Sequence, residues 1–563
     1  MAPITVVVKH QGKRYDVEVD PGSTGEDFKL QLFSLTDVEP DMQKVLIKGG
    51  QLKNDADMGK LGLKKGQIIM MMGTVASKHL VRPKEQIRFV EDMSEAEMAK
   101  QMDATPAGLT NLGNTCYLNS TLQTLRSIPE LQATLARYPK SPVSSMMAST
   151  AEGRIANQLS SLFGNLGETQ DCMSPTNFLF TLRSVLPQFA EKSRTNDGYA
   201  QQDAEEAWSQ IIQHIDRNLI TDKPGDDNQV SFVTKYMSGQ FASHMACDEE
   251  AARDGGEEPI ESNDKFFKLD CHIDASTNHL RDGILAGLSQ KIEKQSQVLG
   301  RDAVYTKTST IARAPKYLTV HFVRFFWKRE AKVKAKIMRK VSFPQELDIV
   351  EFCSPELKRV LIPVRDKVRE IRKDQEDIER ARKRLKKTHG EMAADIPGAA
   401  ALPPEKNRKA KGADGKDKQR SASADGDTVM EERYKTDAEF EAEKDASLAQ
   451  AKKELMQLVD EKLHSDQGSN QTGLYELRGV VTHQGASADS GHYTAYVKKS
   501  APVDPKTGKV GTEDGMWWWF NDDKVTEVKA DKVEALAGGG ESHSALILLY
   551  KAVPLPEVAA SSD

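Results

Sequence analysis

Residues 4–9 (ITVVVK) and 15–19 (YDVEV) alternate apolar and polar positions, the period of two half-buried strands, and HQGKR between them is a turn. Residues 26–35 (EDFKLQLFSL) change to a helical spacing that sets Phe28, Leu32 and Leu35 on one face. A short apolar strand, VLIKGG (45–50), then a loop and a last strand, QIIMMMG (67–73), follow. A hairpin, a helix and further strands in so short a segment predict a small α+β module.

Residues 75–104 carry VRPKE and the charged EDMSEAEMAK, and read as a linker, helical in part. From about 105 the pattern becomes that of a large mixed domain. It changes again near 364. Residues 365–387 are mostly Arg, Lys, Glu and Asp, and Val364, Ile371, Ile378 and Leu385 recur every seven positions. That predicts a helix with half of a coiled-coil seam. Residues 390–433 are rich in Ala, Gly, Pro, Lys, Asp and Ser, a composition that predicts disorder. Residues 439–463 are helical again, with Leu448, Leu455 and Val459 on one face. The stretch 365–466 therefore reads as an insertion of two helices around a flexible loop. Its run RKRLKK (382–387) suits a solvated helix face and also has the composition of a nuclear signal. No repeat of 20–50 residues is visible.

The chain has 563 residues, enough for roughly two to four domains. Its net charge of −6 argues against a general nucleic-acid binder. No run of about 18 apolar residues is present, so no membrane span is expected, and the N-terminus lacks the pattern of a secretory signal. The five cysteines, Cys116, Cys172, Cys247, Cys271 and Cys353, form no CxxC pair. Neither a disulfide framework nor a structural zinc site is expected, and a reducing compartment fits.

Chemistry enters at NLGNTCYLNS (111–120). Gly113 and Asn114 suit a turn, and Asn114 or Thr115 suits a helix cap. Leu118, Leu122 and Leu125 then follow on one helical face, which puts Cys116 in the first turn. Unpaired N–H groups and the positive dipole end at that place favour thiolate, the nucleophilic form. A small buried cysteine has the same local signature. A nucleophile needs a base and a group that orients it. His492, in GASADSGHYTAYVKK, lies between a small-residue loop and an alternating strand, and His483, in VVTHQG, is a second candidate. WWWFNDDKV (517–525) reads as a buried strand that ends at Asn521, Asp522 and Asp523, any of which suits the orienting acceptor.

Five segments carry a resemblance: GLTNLGNTCYLNSTLQTL, YAQQDAEEAW, YLTVHFVRFFWK, SADSGHYTAYV and WWWFNDDKV, in that order. Together they resemble the ubiquitin-specific protease family of deubiquitinating cysteine peptidases over about 105–364 and 467–552. The first module, 1–74, resembles ubiquitin in its element order and in VLIKGGQLKND, but ends without a terminal Gly-Gly. The combination is similar to the proteasome-associated subtype, and KVLIKGGQLK, MMMG and VRFFWKREAKVKAKIMRKVSFPQELDI carry that likeness.

The resemblance implies an α+β chain. A ubiquitin-like β-grasp domain (1–74) and a linker (75–104) precede a papain-like catalytic domain of palm, thumb and fingers (105–552), interrupted by the insertion, and a tail (553–563) follows. It implies thiol-dependent hydrolysis after the C-terminal glycine of ubiquitin, without a cofactor. Cys116 matches the nucleophile, His492 the base, Asn521 the third member, Asp522 a second assisting polar residue and Asn111 the oxyanion-hole side chain. Gln202, Asp203, Ser490 and Gly491 match ubiquitin-binding positions, although an aspartate such as Asp203 also caps helices. Ile47 and Met71 match part of a proteasome-docking face. The implied partners are ubiquitin, its conjugates and, through residues 1–74, the proteasome regulatory particle, in cytoplasm and nucleus.

GASADS (485–490) and KREAKVKAK (328–336) match two loops that cover the active-site groove in this subtype, which implies a slow free enzyme. Two departures stand out. The fingers, about 240–320, hold only Cys247 and Cys271, so the paired cysteines that bind zinc in many relatives are missing. The QQDA segment continues EEAW where His-Glu-Phe is common. A competing class is a ubiquitin-binding modulator of the proteasome without cleavage, whose mark would be loss of Cys116, His492 or Asn111.

Overall fold

The computed structural model describes residues 3–47, 50–73, 105–138, 150–193, 198–221, 230–328, 333–394, 437–487, 490–501 and 511–556. The chain forms two compact units, Met1–Asp92 and Met93–Asp563. The linker expected at 75–104 lies outside the described residues, as does most of the segment expected to be disordered.

Among its described residues the first unit has a five-stranded sheet, one α-helix and two short 3-10 helices. Its strands are β1 (Ile4–His10), β2 (Lys13–Val19), β3 (Lys44–Ile47), β4 (Gly50–Gln51) and β5 (Ile68–Met72), in the order β2-β1-β5-β3-β4. β1 and β5 are parallel, which the intervening helix α1 (Gly25–Thr36) permits. A capping box starts α1: Thr24 accepts from the Asp27 N–H, and Asp27 accepts from the Thr24 N–H. Asp37, in a left-handed conformation, ends it. Phe28 and Leu32 enter the core with Val6, Val8, Val17 and Val45. Leu35 does not, and is 47% exposed. The turn at Asp37 returns the chain so that Val38 fills the core instead.

Strand parity corrects a second expectation. In β5 the side chains of Ile69 and Met71 point inward, and Met71 is only 2% exposed. Ile68, Met70 and Met72 point outward at 58%, 57% and 51% exposed, beside exposed Leu46 on β3. Met71 is therefore a core residue, and its two neighbours form the outer face. Ile47 is partly buried against the same core.

The second unit contains a helical layer, a large sheet and a smaller sheet. The helices are α2 (Cys116–Arg126), α3 (Pro129–Arg137), α4 (Ala151–Glu168), α5 (Thr176–Val185) and α6 (Ala204–Asn218). The smaller sheet, the fingers, comprises β6 (Gly239–Cys247), β7 (Ile260–Phe266), β9 (Ser289–Gln295) and β10 (Asp302–Arg313), in the order β7-β6-β10-β9. The palm sheet runs β18-β17-β16-β15-β19-β11-β8. Here β8 is Leu269–His272, β11 Tyr317–Val323, β15 Leu474–Ser487, β16 Ser490–Lys498, β17 Met516–Asn521, β18 Lys524–Lys529 and β19 Ser544–Ala552. Short strands β12 (Phe325–Lys328) and β13 (Val333–Lys336) pair as a hairpin, and β13 and β14 (Glu346–Asp348) each pair with β15.

Helix α2 lies between the helical layer and strands β15 to β17, so it is buried on every side. Its apolar stripe is real, but Asn119, Ser120, Thr121, Gln123 and Thr124 are buried too. Ser120 and Thr121 donate to the Tyr117 carbonyl, Thr124 to that of Ser120, and the Gln123 amide to that of Ala107. Those bonds offset the cost of burying polar groups.

The insertion is anchored at its base. Helix α7 (Pro355–Ala394) begins ahead of residue 365 and packs Val364, Val368 and Ile371 against Leu455 of α8 (Asp437–Leu458) and against Leu474. Arg365 and Arg372 pair with Asp348 and Glu346 of β14, and Arg382 reaches Asp445. The two helices are thus part of the folded unit near the sheet. The side chain of Leu385, the last position of the expected seam, and most side chains of RKRLKK lie outside the described residues.

Candidate active site

The segment that leads into α2 runs against the turn between β17 and β18. Leu109 N–H donates to the Asp522 carbonyl at 2.9 Å. A Cβ on Gly108 would meet the Asp523 carbonyl oxygen at 2.5 Å, so only glycine allows this approach. Gly113 and Asn114 then take positive φ values of 91° and 55° to turn the chain into the helix. Neither expected cap forms. Asn114 donates its amide to the Tyr199 carbonyl, and Thr115, the residue ahead of α2, makes no capping bond. The first-turn N–H groups of α2 stay free of side-chain caps, as an anion site there requires.

Asn111 organises this turn. Its Oδ1 accepts from the N–H of Gly113 at 3.0 Å and of Thr115 at 3.3 Å. That bonding pattern assigns the amide, so Nδ2 is the outward donor. Nδ2 donates to Asp522 Oδ2 at 2.9 Å. Asp522 Oδ1 accepts from Asn119 Nδ2 at 2.8 Å. One carboxylate thus binds the asparagines before and after Cys116. Asp522 itself has φ of 53°, a left-handed turn conformation that aspartate tolerates.

His492, on β16, is partly exposed. Its Nε2 lies 2.5 Å from Asn521 Oδ1 and 4.0 Å from Asp522 Oδ2. An amide oxygen accepts only, so Nε2 carries the proton and Nδ1 has the free lone pair. His483 does not compete for this role. It is fully buried, packed edge-on between Phe325 and Tyr493, with Nε2 at 3.3 Å from the Ser490 carbonyl oxygen. Burial, then the Lys336 charge, push it down to about 3, so it stays neutral.

Cys116 is buried, and its thiol departs from the expectation of a ready thiolate. Burial pushes it up to about 11, and the Asp522 carboxylate pushes the same way. The N–H groups of Tyr493, Tyr117 and Cys116 act against this without winning. Desolvation of a charge outweighs the favourable end of the helix.

The remaining sequence candidates divide. Asp203 caps α6 by accepting from the Glu205 N–H at 2.9 Å, and burial raises its carboxyl. The amide nitrogens of Gln201 and Gln202 are shielded and have no protein partner among the described residues. Ser490 is exposed at the start of β16. Gly491 is a packing requirement: its φ is +122°, and a Cβ there would lie 2.1 Å from the Gln484 carbonyl oxygen. Cys247 packs at the fingers with Ala252, Ala303 and Tyr305, whereas Cys271 lies in the palm core, so the two do not meet. Residues 488–489 and 329–332 of the two expected covering loops lie outside the described residues.

Sequence reasoning missed Asn119 and His543. Asn119 had a readable signal, a polar residue one helical turn after Cys116 on what is now a fully buried helix. His543, in GGGESHSA, had none.

Comparison with known proteins identifies the family of each unit. Residues 107–550 match the family described as ubiquitin carboxyl-terminal hydrolase, and residues 4–76 match the ubiquitin family. Ubiquitin carboxyl-terminal hydrolase 6 of Schizosaccharomyces pombe is 42% identical, over 98% of this chain and 99% of its own. The enzyme of the same name from Arabidopsis thaliana is 36% identical, over 97% and 98%. Ubiquitin carboxyl-terminal hydrolase 14 of Caenorhabditis elegans is 31% identical, over 97% and 93%. The chain belongs to the ubiquitin carboxyl-terminal hydrolase family: it is a cysteine deubiquitinase with an N-terminal ubiquitin-like domain.

Proposed function

We propose that this deubiquitinase releases ubiquitin from conjugates at the proteasome, with Cys116 as nucleophile, His492 as base and Asn111 at the oxyanion. The observation that carries the chemistry is the junction of three distant segments: His492 on Asn521, and Asp522 on both Asn111 and Asn119. His492 Nδ1 takes the thiol proton as sulfur attacks the carbonyl of ubiquitin's last glycine. Asn111 Nδ2 keeps one N–H on Asp522 and turns the other to the oxyanion, alongside the Cys116 N–H. The C–N bond breaks, the leaving lysine amine takes the proton from His492, and a thioester remains. Water, deprotonated by the same imidazole, then frees the carboxylate. Asn521 orients the ring but brings no charge. Asp522, 4.0 Å away, supplies the negative charge that supports imidazolium.

The acidic start of α6 suits the basic tail of ubiquitin. Asp203 caps this helix and Glu206 stands in its first turn. Lys334 of β13 exerts an opposing pull on both carboxyls. The hairpin's own cation thus competes with the substrate's. This, with the raised thiol, supports a slow free enzyme that docking activates. Residues 1–74 supply the docking module, and the exposed row Leu46, Ile68, Met70 and Met72 is its contact face. The enzyme then works in cytoplasm and nucleus, wherever proteasomes are. A ubiquitin C-terminal electrophile, reacted with and without proteasome, tests this. Faster labelling of Cys116 with proteasome supports it. Equal labelling removes the regulation, and labelling elsewhere removes the nucleophile.

A further inference from the structure

One titratable group beside His492 has no part in the chemistry above. His543 immediately precedes β19, the palm strand next to β15. Its ring centroid is 6.5 Å from that of His492, with the planes at 72°. Its Nδ1 is 3.1 Å from Thr482 Oγ1, and Thr482 Oγ1 is 2.8 Å from Thr494 Oγ1. Both threonines are fully buried and face each other across β15 and β16. Thr494 lies two residues beyond His492, so the two side chains share a face of β16. A buried hydroxyl pair therefore holds one imidazole edge-on beside another. Burying polar groups in this way is costly unless they are bonded, and the bonded set is correspondingly rigid.

We propose that His543 is a positioning residue for His492, a wall that restricts rotation of the catalytic ring and keeps water from its side. The inference rests on the reading of His492 as the base. His543 acts as a neutral group: burial first, then the charges of His492 and Lys336, hold it down at about 4. The groups near His492 are Asn521 at the end of β17, Asp522 in the turn after it, His483 on β15 and His543 itself, with Lys336 of β13 behind and Cys116 of α2 beside the N–H of Tyr493, the next residue of β16. With the wall in place, Nε2–H stays on Asn521 and Nδ1 stays available for the thiol proton. Without it the ring hydrates and turns, and a small misplacement of a catalytic group is expensive in rate.

The test uses the full-length chain, with ubiquitin–fluorophore hydrolysis and thermal unfolding measured for H543A, H543F, T482V, H492A and C116A. H543A is expected to lower kcat about tenfold with KM little changed. The acid limb of its kcat/KM profile moves to higher pH, because a more hydrated imidazole holds its proton more firmly. H543F keeps the wall without the hydrogen bond, and its acid limb returns to the wild-type position. T482V, which loosens the anchor, falls between wild type and H543A. Wild-type kcat with an unmoved acid limb in H543A overturns the proposal. So does an equal loss in H543A and H543F that follows a lowered unfolding temperature. H492A separates the two readings: if it remains active, the base assignment falls and this role with it. If H492A is inactive while H543A matches wild type, only the role of His543 falls.

Discussion

Asn119 Nδ2 donates to Asp522 Oδ1 at 2.8 Å, which ties the nucleophile's own helix to the turn beyond the tryptophan-rich strand. The residues are 403 apart in sequence. The other oxygen of the same carboxylate holds Asn111. Asp522→Ala should therefore act on both sides of Cys116, leaving Asn119 with only its longer bonds to the Leu109 and Thr110 carbonyls, and Asn111 without its tether. The expected result is a fall in kcat of about 100-fold, the scale of losing one oxyanion donor. Steady-state hydrolysis of ubiquitin–fluorophore checks it, and a loss below about threefold would show that the tether is dispensable.

Removing the donor itself separates binding from chemistry. Asn111→Ala is expected to reduce kcat about 100- to 1,000-fold and leave KM nearly unchanged, since the bond strengthens only as charge develops on oxygen. A raised KM with normal kcat would assign Asn111 to ground-state binding instead.

The thiol has a defined pH signature. Burial and Asp522 together hold Cys116 at about 11, so the free enzyme should be alkylated by a small haloacetamide at a rate that climbs with pH well above neutrality. Asp522→Asn removes the repulsion between carboxylate and thiolate and should shift the curve to lower pH. A rate already level at neutral pH would mean that the thiolate forms at rest.

Lys334 provides a handle on regulation. If its cation competes with the tail of ubiquitin at Asp203 and Glu206, Lys334→Ala should raise turnover by free enzyme about fivefold, the lower end of ordinary coupling between sites. Turnover of the proteasome-bound enzyme should change little. An unchanged free enzyme counts against competition by this residue.

Adjacent methionines in β5 should behave oppositely. Met71→Ala opens a cavity in the small core and is expected to cost about 2–5 kcal/mol, seen as a lower unfolding temperature of the first unit. Met70→Glu should leave that transition within about 0.5 kcal/mol and weaken cosedimentation with proteasome. Full cosedimentation of Met70→Glu would remove this face from docking.

The sequence by itself determined the element types of the first module and the place of Cys116 in the first turn of a helix, and it narrowed the candidate base to His492 or His483 and the orienting acceptor to Asn521, Asp522 or Asp523. These were legible because local periodicity follows backbone geometry, and because a thiol nucleophile demands an imidazole and an acceptor wherever they lie. It also marked the insertion helices, since Val364, Ile371 and Ile378 keep a period that survives a charged background.

Tertiary structure alone decided the rest. Which of Met70 and Met71 faces outward depends on register against β1 and β3, and a shift of one residue reverses every side chain. Leu35 lost its core position to Val38 because a left-handed turn redirected the chain. Asn119 met Asp522, and His543 came beside His492, only when strands distant in sequence packed beside α2 and β16. The state of the thiol was decided there as well. A helix N-terminus favours thiolate locally, but desolvation and the field of a carboxylate 406 residues away in sequence are properties of the assembled fold, and they win.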